Sequence, residues 1–173
     1  MKTSKNELIR WSNTFSCGVR IIDEQHMGLV KLVNELFNHV TGDPKEERDY
    51  FNRVIHQAVE YVKVHFSTEE KIMRATNFSG YHQHKRAHES FIFNVVCNAR
   101  EFQENKRVSL SSFTKFLKEW ILSHIALNDK QYFEYFHKIA TRKADGKLSI
   151  DAADIAHFRV QSTTPPQAAR YVV

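Results

Sequence analysis

The sequence predicts an all-α fold: an up-down-up-down antiparallel four-helix bundle with an N-terminal arm and a C-terminal extension. Three observations predict it. Four segments place apolar residues at steps of three and four, the period of an amphipathic helix. Short stretches of turn-forming or polar residues separate them, as in an antiparallel bundle. No segment alternates apolar and polar residues as a half-buried strand does, and there is no hairpin signal or internal repeat. Thirteen Phe against five Gly and three Pro agree with a helical core that has few turns.

The first helix is expected over 23–41, with the stripe His26, Leu29, Val33, Leu36 and Val40. It stops at "TGDP", where Gly42 ends one helix, Asp43 caps the next and Pro44 fits its first position. Glu46 stands at capping-box distance from Asp43. The second helix, over 44–74, carries Phe51, Ile55, Ala58, Val62, His65, Glu69 and Ile72, until "NFSG" breaks the pattern. The third, over 81–105, carries His84, His88, Phe91, Val95, Asn98 and Phe102, and the polar loop "ENKRVS" follows. The fourth, over 110–138, carries Phe113, Leu117, Trp120, His124 and Leu127.

The expected division is a bundle domain over 1–139, with its arm over about 1–20, and an extension over 140–173. The extension has room for one short helix, which Asp151 would cap, before a mobile tail "TTPPQAARYVV". "DGKLSID" lacks the ladder of acidic ligands that a calcium loop needs.

The chain is long enough for one domain with a sizeable core. Its formal net charge is +5, but the basic residues are scattered among acids, which argues against nucleic acid as a partner. No apolar run is long enough to insert in a membrane, and the first residues lack the apolar stretch of a secretory signal. Cys17 and Cys97 show no CxxC spacing and read as a reduced pair. A cytoplasmic location is the expectation.

Ten histidines are many for one small domain. His39, His56, His82, His137 and His157 lie off the stripes or near helix ends and read as ordinary surface or boundary residues. His26, His65, His84, His88 and His124 fall on the inward stripes of all four helices, and Glu69 lies one turn after His65. Left unpaired, such groups would each cost roughly 1–3 kcal/mol. Bound metal removes the penalty, and imidazole with carboxylate suits iron, copper, nickel or zinc. One tetrahedral zinc takes four ligands, so this larger set argues for two ions, with Glu69 as a bridge.

Asp129 is the candidate for a second bridge, but five residues separate it from His124. At about 100° per residue, a regular helix would turn it about 140° away. A π-type turn inserts a residue and would bring the two together, so a distortion is expected between them.

These residues resemble the haemerythrin family, its bacterial members most closely. "IIDEQH" supplies His26, "HFSTEEKIM" supplies His65 and Glu69, "HKRAHESF" supplies His84 and His88, and "WILSHIALND" supplies His124 and Asp129. "WSNTFSCGV" matches the family's lead-in arm, and the resemblance spans roughly residues 10–139. One departure is Phe78-Ser79, where many relatives have Tyr-Pro. It leaves the ligands intact.

The resemblance implies two iron ions per chain and reversible dioxygen binding for carriage, storage or delivery. His84, His88 and His124 would hold one iron, and His26 and His65 the other, which keeps an open position. Glu69, Asp129 and an oxo or hydroxo group would bridge them. Ile121, one turn before His124, and Phe66, next to His65, are expected to line the oxygen pocket, while Trp120 reads as plain core. No catalytic residue is assigned. The alternatives are an oxygen or redox sensor acting through a protein partner of the C-terminal segment, and a di-iron oxidase or a peroxide or nitric oxide reductase. Ferritin-like oxidases use two Glu-x-x-His pairs, whereas this chain has one, "EYFH" at 134–137.

Overall fold

The computed structural model describes residues 7–104 and 108–144. A 3-10 turn over Asn13–Phe15 precedes α1 (Arg20–Asn38), α2 (Pro44–Ala75), α3 (Tyr81–Gln103) and α4 (Leu110–Ser123). A π-helical segment, His124–Asp129, then runs directly into α5 (Lys130–Ala144). No strand occurs among the described residues. The helices α1 and α3 each pack against both α2 and α4, which closes the up-down-up-down bundle.

The helix ends follow local chemistry. Asp43 caps α2, its carboxylate accepting from the backbone N–H of Lys45 at 2.8 Å and of Glu46 at 3.1 Å. The reciprocal bond expected of Glu46 is made one residue later, where Glu47 accepts from the N–H of Gly42 at 2.8 Å. Gly42 takes a φ of +82°, open to glycine without strain. Ser109 and Ser112 form a reciprocal capping box at the start of α4. After α2, Asn77 turns left-handed and the N–H of Phe78 reaches back to the carbonyl of Met73 at 2.9 Å. The Phe78 ring packs against Tyr132 and Tyr135, anchoring the loop where relatives have Tyr-Pro.

Several expected boundaries shift. Helix α1 spans Arg20–Asn38 rather than 23–41. Asp23 is not its first residue; its carboxylate reaches back to the N–H of Cys17 at 2.7 Å and of Gly18 at 3.2 Å, and accepts from the Ser16 hydroxyl at 2.7 Å. Helical structure after α4 continues to Ala144, so the expected domain limit at 139 falls inside α5. The expected short helix at 151, the tail and His157 lie outside the described residues.

Two apolar clusters fill the bundle. The larger contains Leu29, Val33, Phe51, Phe91, Phe113 and Ile121, and the smaller contains Ile22, Ile72, Met73, Tyr132 and Phe136. Along each helix the candidate ligands fall between them: His26 between Ile22 and Leu29, and His65 and Glu69 between Val62 and Ile72. A polar layer therefore crosses the interior between two dry ones. Gly28 allows α1 to approach α2 closely, because a Cβ there would overlap the Tyr61 side chain. No described helix is long and apolar enough to cross a membrane. The two cysteines are unbridged, Cys17 buried and Cys97 exposed.

Hydrogen bonds from Cys17, Ser16 and Gly18 hold the Asp23 carboxyl below its ordinary value of 3.8, outweighing the larger upward pull of partial burial. A depressed carboxyl contributes stability above its unfolded value and loses it as pH falls through the folded one. Asp23→Ala should cost about 1 kcal/mol at neutral pH. The difference from wild type should shrink as pH drops below 3.8, read from denaturant midpoints across pH.

Candidate metal centre

The π-helical segment settles the phase problem posed by His124 and Asp129. Its wider turn brings both onto one face, with Asp129 Oδ1 lying 3.2 Å from His124 Nε2. The same turn moves Leu127 outward. It is 63% exposed, not on the inward stripe as its spacing suggested.

All seven candidate residues converge in the polar layer. His26, Glu69 and Asp129 are 0% exposed, and His65, His84, His88 and His124 are buried as well. Two groups have donor atoms all within 4.8 Å of one another: Glu69 with His84, His88 and His124, and Glu69 with His26 and His65. Each carboxylate divides its oxygens between the groups. Glu69 Oε1 lies 3.7 Å from His26 Nε2 and 3.8 Å from His65 Nε2, while Oε2 lies 3.5 Å from His84 Nε2 and 3.2 Å from His88 Nε2. Asp129 Oδ2 lies 3.3 Å from His26 Nε2, and Oδ1 lies 3.4 Å from His84 Nε2.

The donor set fits metal. Both oxygens of Glu69 and of Asp129, and both nitrogens of His26, are buried without a hydrogen-bond partner. The Nε2 atoms of His88 and His124 approach to 3.1 Å, and those of His124 and His84 to 3.2 Å. Inward-facing lone pairs at that spacing repel unless a cation lies between them. Nitrogens at adjacent right-angle positions of a metal, with bonds of about 2.1 Å, would stand about 3.0 Å apart.

With no cation in the layer, burial and the ring of charges alone would set the protonation states. Burial drives His65 down to about 3 and His124 to about 2, leaving both as neutral donors at neutral pH. Burial also pulls His26 down, but the carboxylates of Asp129 and Glu69 outweigh it and raise the group to about 9. Burial pushes Glu69 up, and the surrounding imidazoles overcome it and hold Glu69 well below the usual carboxylate range. Asp129 is raised to about 6 by burial and by the charge of Glu69.

An outer ring of partners aims the imidazoles. Gln25 Oε1 accepts from His65 Nδ1 at 3.1 Å, and Glu70 Oε1 accepts from His88 Nδ1 at 3.2 Å. The Asn128 amide nitrogen instead donates to His124 Nδ1 at 3.0 Å. For His65 and His88, a proton held on Nδ1 leaves the Nε2 lone pair pointing inward. Gln25 is itself fixed by Thr68 at 3.2 Å and, through its carbonyl, by the Tyr61 hydroxyl at 3.2 Å. The sequence analysis missed this ring. Its only signal was position, since Gln25, Glu70 and Asn128 each adjoin a candidate ligand in the chain.

Phe66 stacks flat on His88 at 3.7 Å and stands 5.7 Å from His65. Ile121 is buried and lines an apolar cavity of about 20 Å³ with Leu32, Leu36 and Phe91. Trp120 is more than plain core, because its ring stacks on His124 at 4.2 Å. The histidines set aside earlier stay apart from the cluster. His39 stacks on Tyr50, His56 and His82 are exposed, and His137 Nε2 donates to the Cys17 carbonyl at 2.7 Å.

A bundle with this buried, two-lobed set of imidazoles and carboxylates defines a cation-binding helical protein. A family model described as the hemerythrin HHE cation binding domain matches residues 17–136, and the chain belongs to the hemerythrin family. The bacteriohemerythrin of Stenotrophomonas maltophilia is 30% identical over 125 residues, covering 72% of this chain and 79% of that protein. The bacteriohemerythrin of Clostridium acetobutylicum is 26% identical over 126 residues, covering 72% of this chain and 98% of that one. Among solved structures, wild-type hemerythrin aligns with a TM-score of 0.63 at 25% identity, covering 73% of this chain and 96% of that one. A mutant hemerythrin aligns with a TM-score of 0.65 at 24% identity, covering 75% and 98%.

Removing an outer partner should weaken metal binding and spare the fold. Gln25→Ala and Glu70→Ala are each expected to lower metal affinity by about 10–100-fold. Competition with a chelator measures the affinity, and an unchanged helical circular dichroism signal controls for folding.

Proposed function

We propose that this chain binds dioxygen reversibly at a non-haem di-iron centre, for oxygen carriage, storage or delivery. The observation that supports this most is the split of each carboxylate between the two histidine groups. It suits Glu69 and Asp129 as bridges, with His84, His88 and His124 at one iron and His26 and His65 at the other. When bound, the iron pair supplies the electrons that dioxygen binding draws on and takes back.

The chain's own residues do the rest. The two carboxylates offset part of the metal charge inside a dry core. Gln25 and Glu70 keep His65 and His88 in the tautomer that offers Nε2 inward. The group with two imidazoles instead of three leaves room for one small ligand. Phe66 and Ile121 form part of the apolar wall that keeps water from the iron pair and slows its irreversible oxidation. The set is rich in imidazole and poor in carboxylate, which favours binding over oxidase chemistry.

The test is an anaerobic load with ferrous iron, followed by cycles of oxygen addition and removal under optical observation. Two irons per chain are expected, with a visible absorption band that appears with oxygen and disappears without it. Ile121→Ala should keep the iron and the band but lose reversibility several-fold faster per cycle. Oxidation that never reverses would defeat the carrier reading, and a chain that holds no iron would defeat the di-iron centre itself.

A further inference from the structure

Helix α3 turns its His84, His88, Phe91, Val95 and Phe102 inward, and its opposite face carries a second pattern. Lys85, Glu89, Phe93, Val96, Arg100 and Glu104 follow one another at steps of four, four, three, four and four. Phe93 is 68% exposed and Val96 52%, two of the four large apolar side chains exposed among the described residues. Exposed apolar residues side by side on one helix, with charges beyond them at each end, have the layout of an interface core and rim.

The pattern reads the same from both ends once charge is reversed. A two-fold axis between residues 94 and 95 exchanges Lys85 with Glu104, Glu89 with Arg100, and Phe93 with Val96. Each of these four charges meets its opposite, and the two apolar side chains meet each other. Within one chain the ends are already ordered as ion pairs, Lys85 with Glu89 and Arg100 with Glu104. Antiparallel pairing lays one such ion pair against the other with the signs alternating.

We propose that α3 is the interface of a two-fold symmetric dimer, in which a second copy of this chain lies antiparallel along Lys85–Glu104. Each chain presents the same patch, as a closed two-fold contact requires. Lys85 faces the partner's Glu104, Glu89 faces the partner's Arg100, and Phe93 packs against the partner's Val96. Parallel pairing in register is rejected by charge, because it would set Lys85 on its own copy and Glu89 on its own copy. The contact runs roughly 28 Å along the helix. A groove between α2 and α3, lined by Lys63, Ser67, Glu89, Ile92 and Phe93, opens beside it and gives an incoming side chain room. A single pair of helices makes a small interface, so the dimer is weak and reversible. The charges set its register and make it sensitive to salt. The paired residues themselves lie on the face of α3 opposite the metal layer, although the groove beside them reaches Glu70 and His88.

Sedimentation equilibrium on the full chain, from micromolar to millimolar concentration at low salt, tests the proposal. The apparent mass should rise from 20.3 kDa towards twice that value with concentration, and fall back in high salt. Phe93→Asp should abolish the rise. Glu89→Arg and Arg100→Glu should each weaken the dimer by at least about tenfold. Combining those two should restore it, since the swapped charges then face each other across the axis. All three positions are exposed, and an unchanged thermal midpoint checks that each variant is folded. A wild-type chain that stays monomeric at millimolar concentration overturns the proposal. So does a dimer indifferent to Phe93→Asp, or a double variant as weak as its singles.

Discussion

Two carboxylates with no hydrogen-bond donor, buried at 0% exposure among five imidazoles, are the constraint on which the rest of this structure depends. Burying a carboxylate without hydrogen-bond donors opposes folding, and burying two side by side opposes it more, which neighbouring imidazoles offset only in part. Cations in the layer would turn that penalty into binding free energy. The bundle's job is then to hold seven side chains from four helices at one depth. It does so by placing an apolar cluster above and below the layer, so that each helix is fixed in rotation on both sides of its ligands.

Rotation explains why so much was legible in the sequence. A helix that packs one face repeats its inward residues at a fixed period, and a histidine on that period must point inward with its neighbours. His26, His65, His84, His88 and His124 could be read this way because Leu29, Val62, Phe91 and Leu117 mark the same faces. Asp129 was legible for the opposite reason. Its spacing from His124 failed the period, and the failure implied the π turn that the structure contains. Leu127 was misread because a regular stripe was extended through that turn.

What stayed hidden lies off the period. Gln25, Glu70 and Asn128 act from the flanks of the stripes, where a polar residue is the ordinary choice and carries no distinguishing pattern. Trp120 looked like core because stacking on an imidazole and packing in a core ask for the same residue at the same place. The end of α5 was set too early because the inward stripe fades after Phe136, while the backbone stays helical to Ala144. Helical hydrogen bonds do not need an apolar face, so periodicity marks where a helix is buried and not where it ends.

The outer hydrogen bonds are distributed unevenly, and the unevenness matters for the proposed chemistry. In the three-imidazole group, His88 and His124 are each held from behind by a side-chain partner. In the two-imidazole group, His65 is held by Gln25, but neither nitrogen of His26 has a hydrogen-bond partner. Packing alone orients the His26 ring, edge-on to His65 at 4.9 Å and to Phe133 at 6.3 Å. One side of the centre thus has three imidazoles, two of them aimed by outer partners. The other has two imidazoles, one of them steered only by packing. A centre that accepts and releases a small molecule needs a side whose coordination can change, and on the proposed reading His26, with no outer hydrogen bond, belongs to that side.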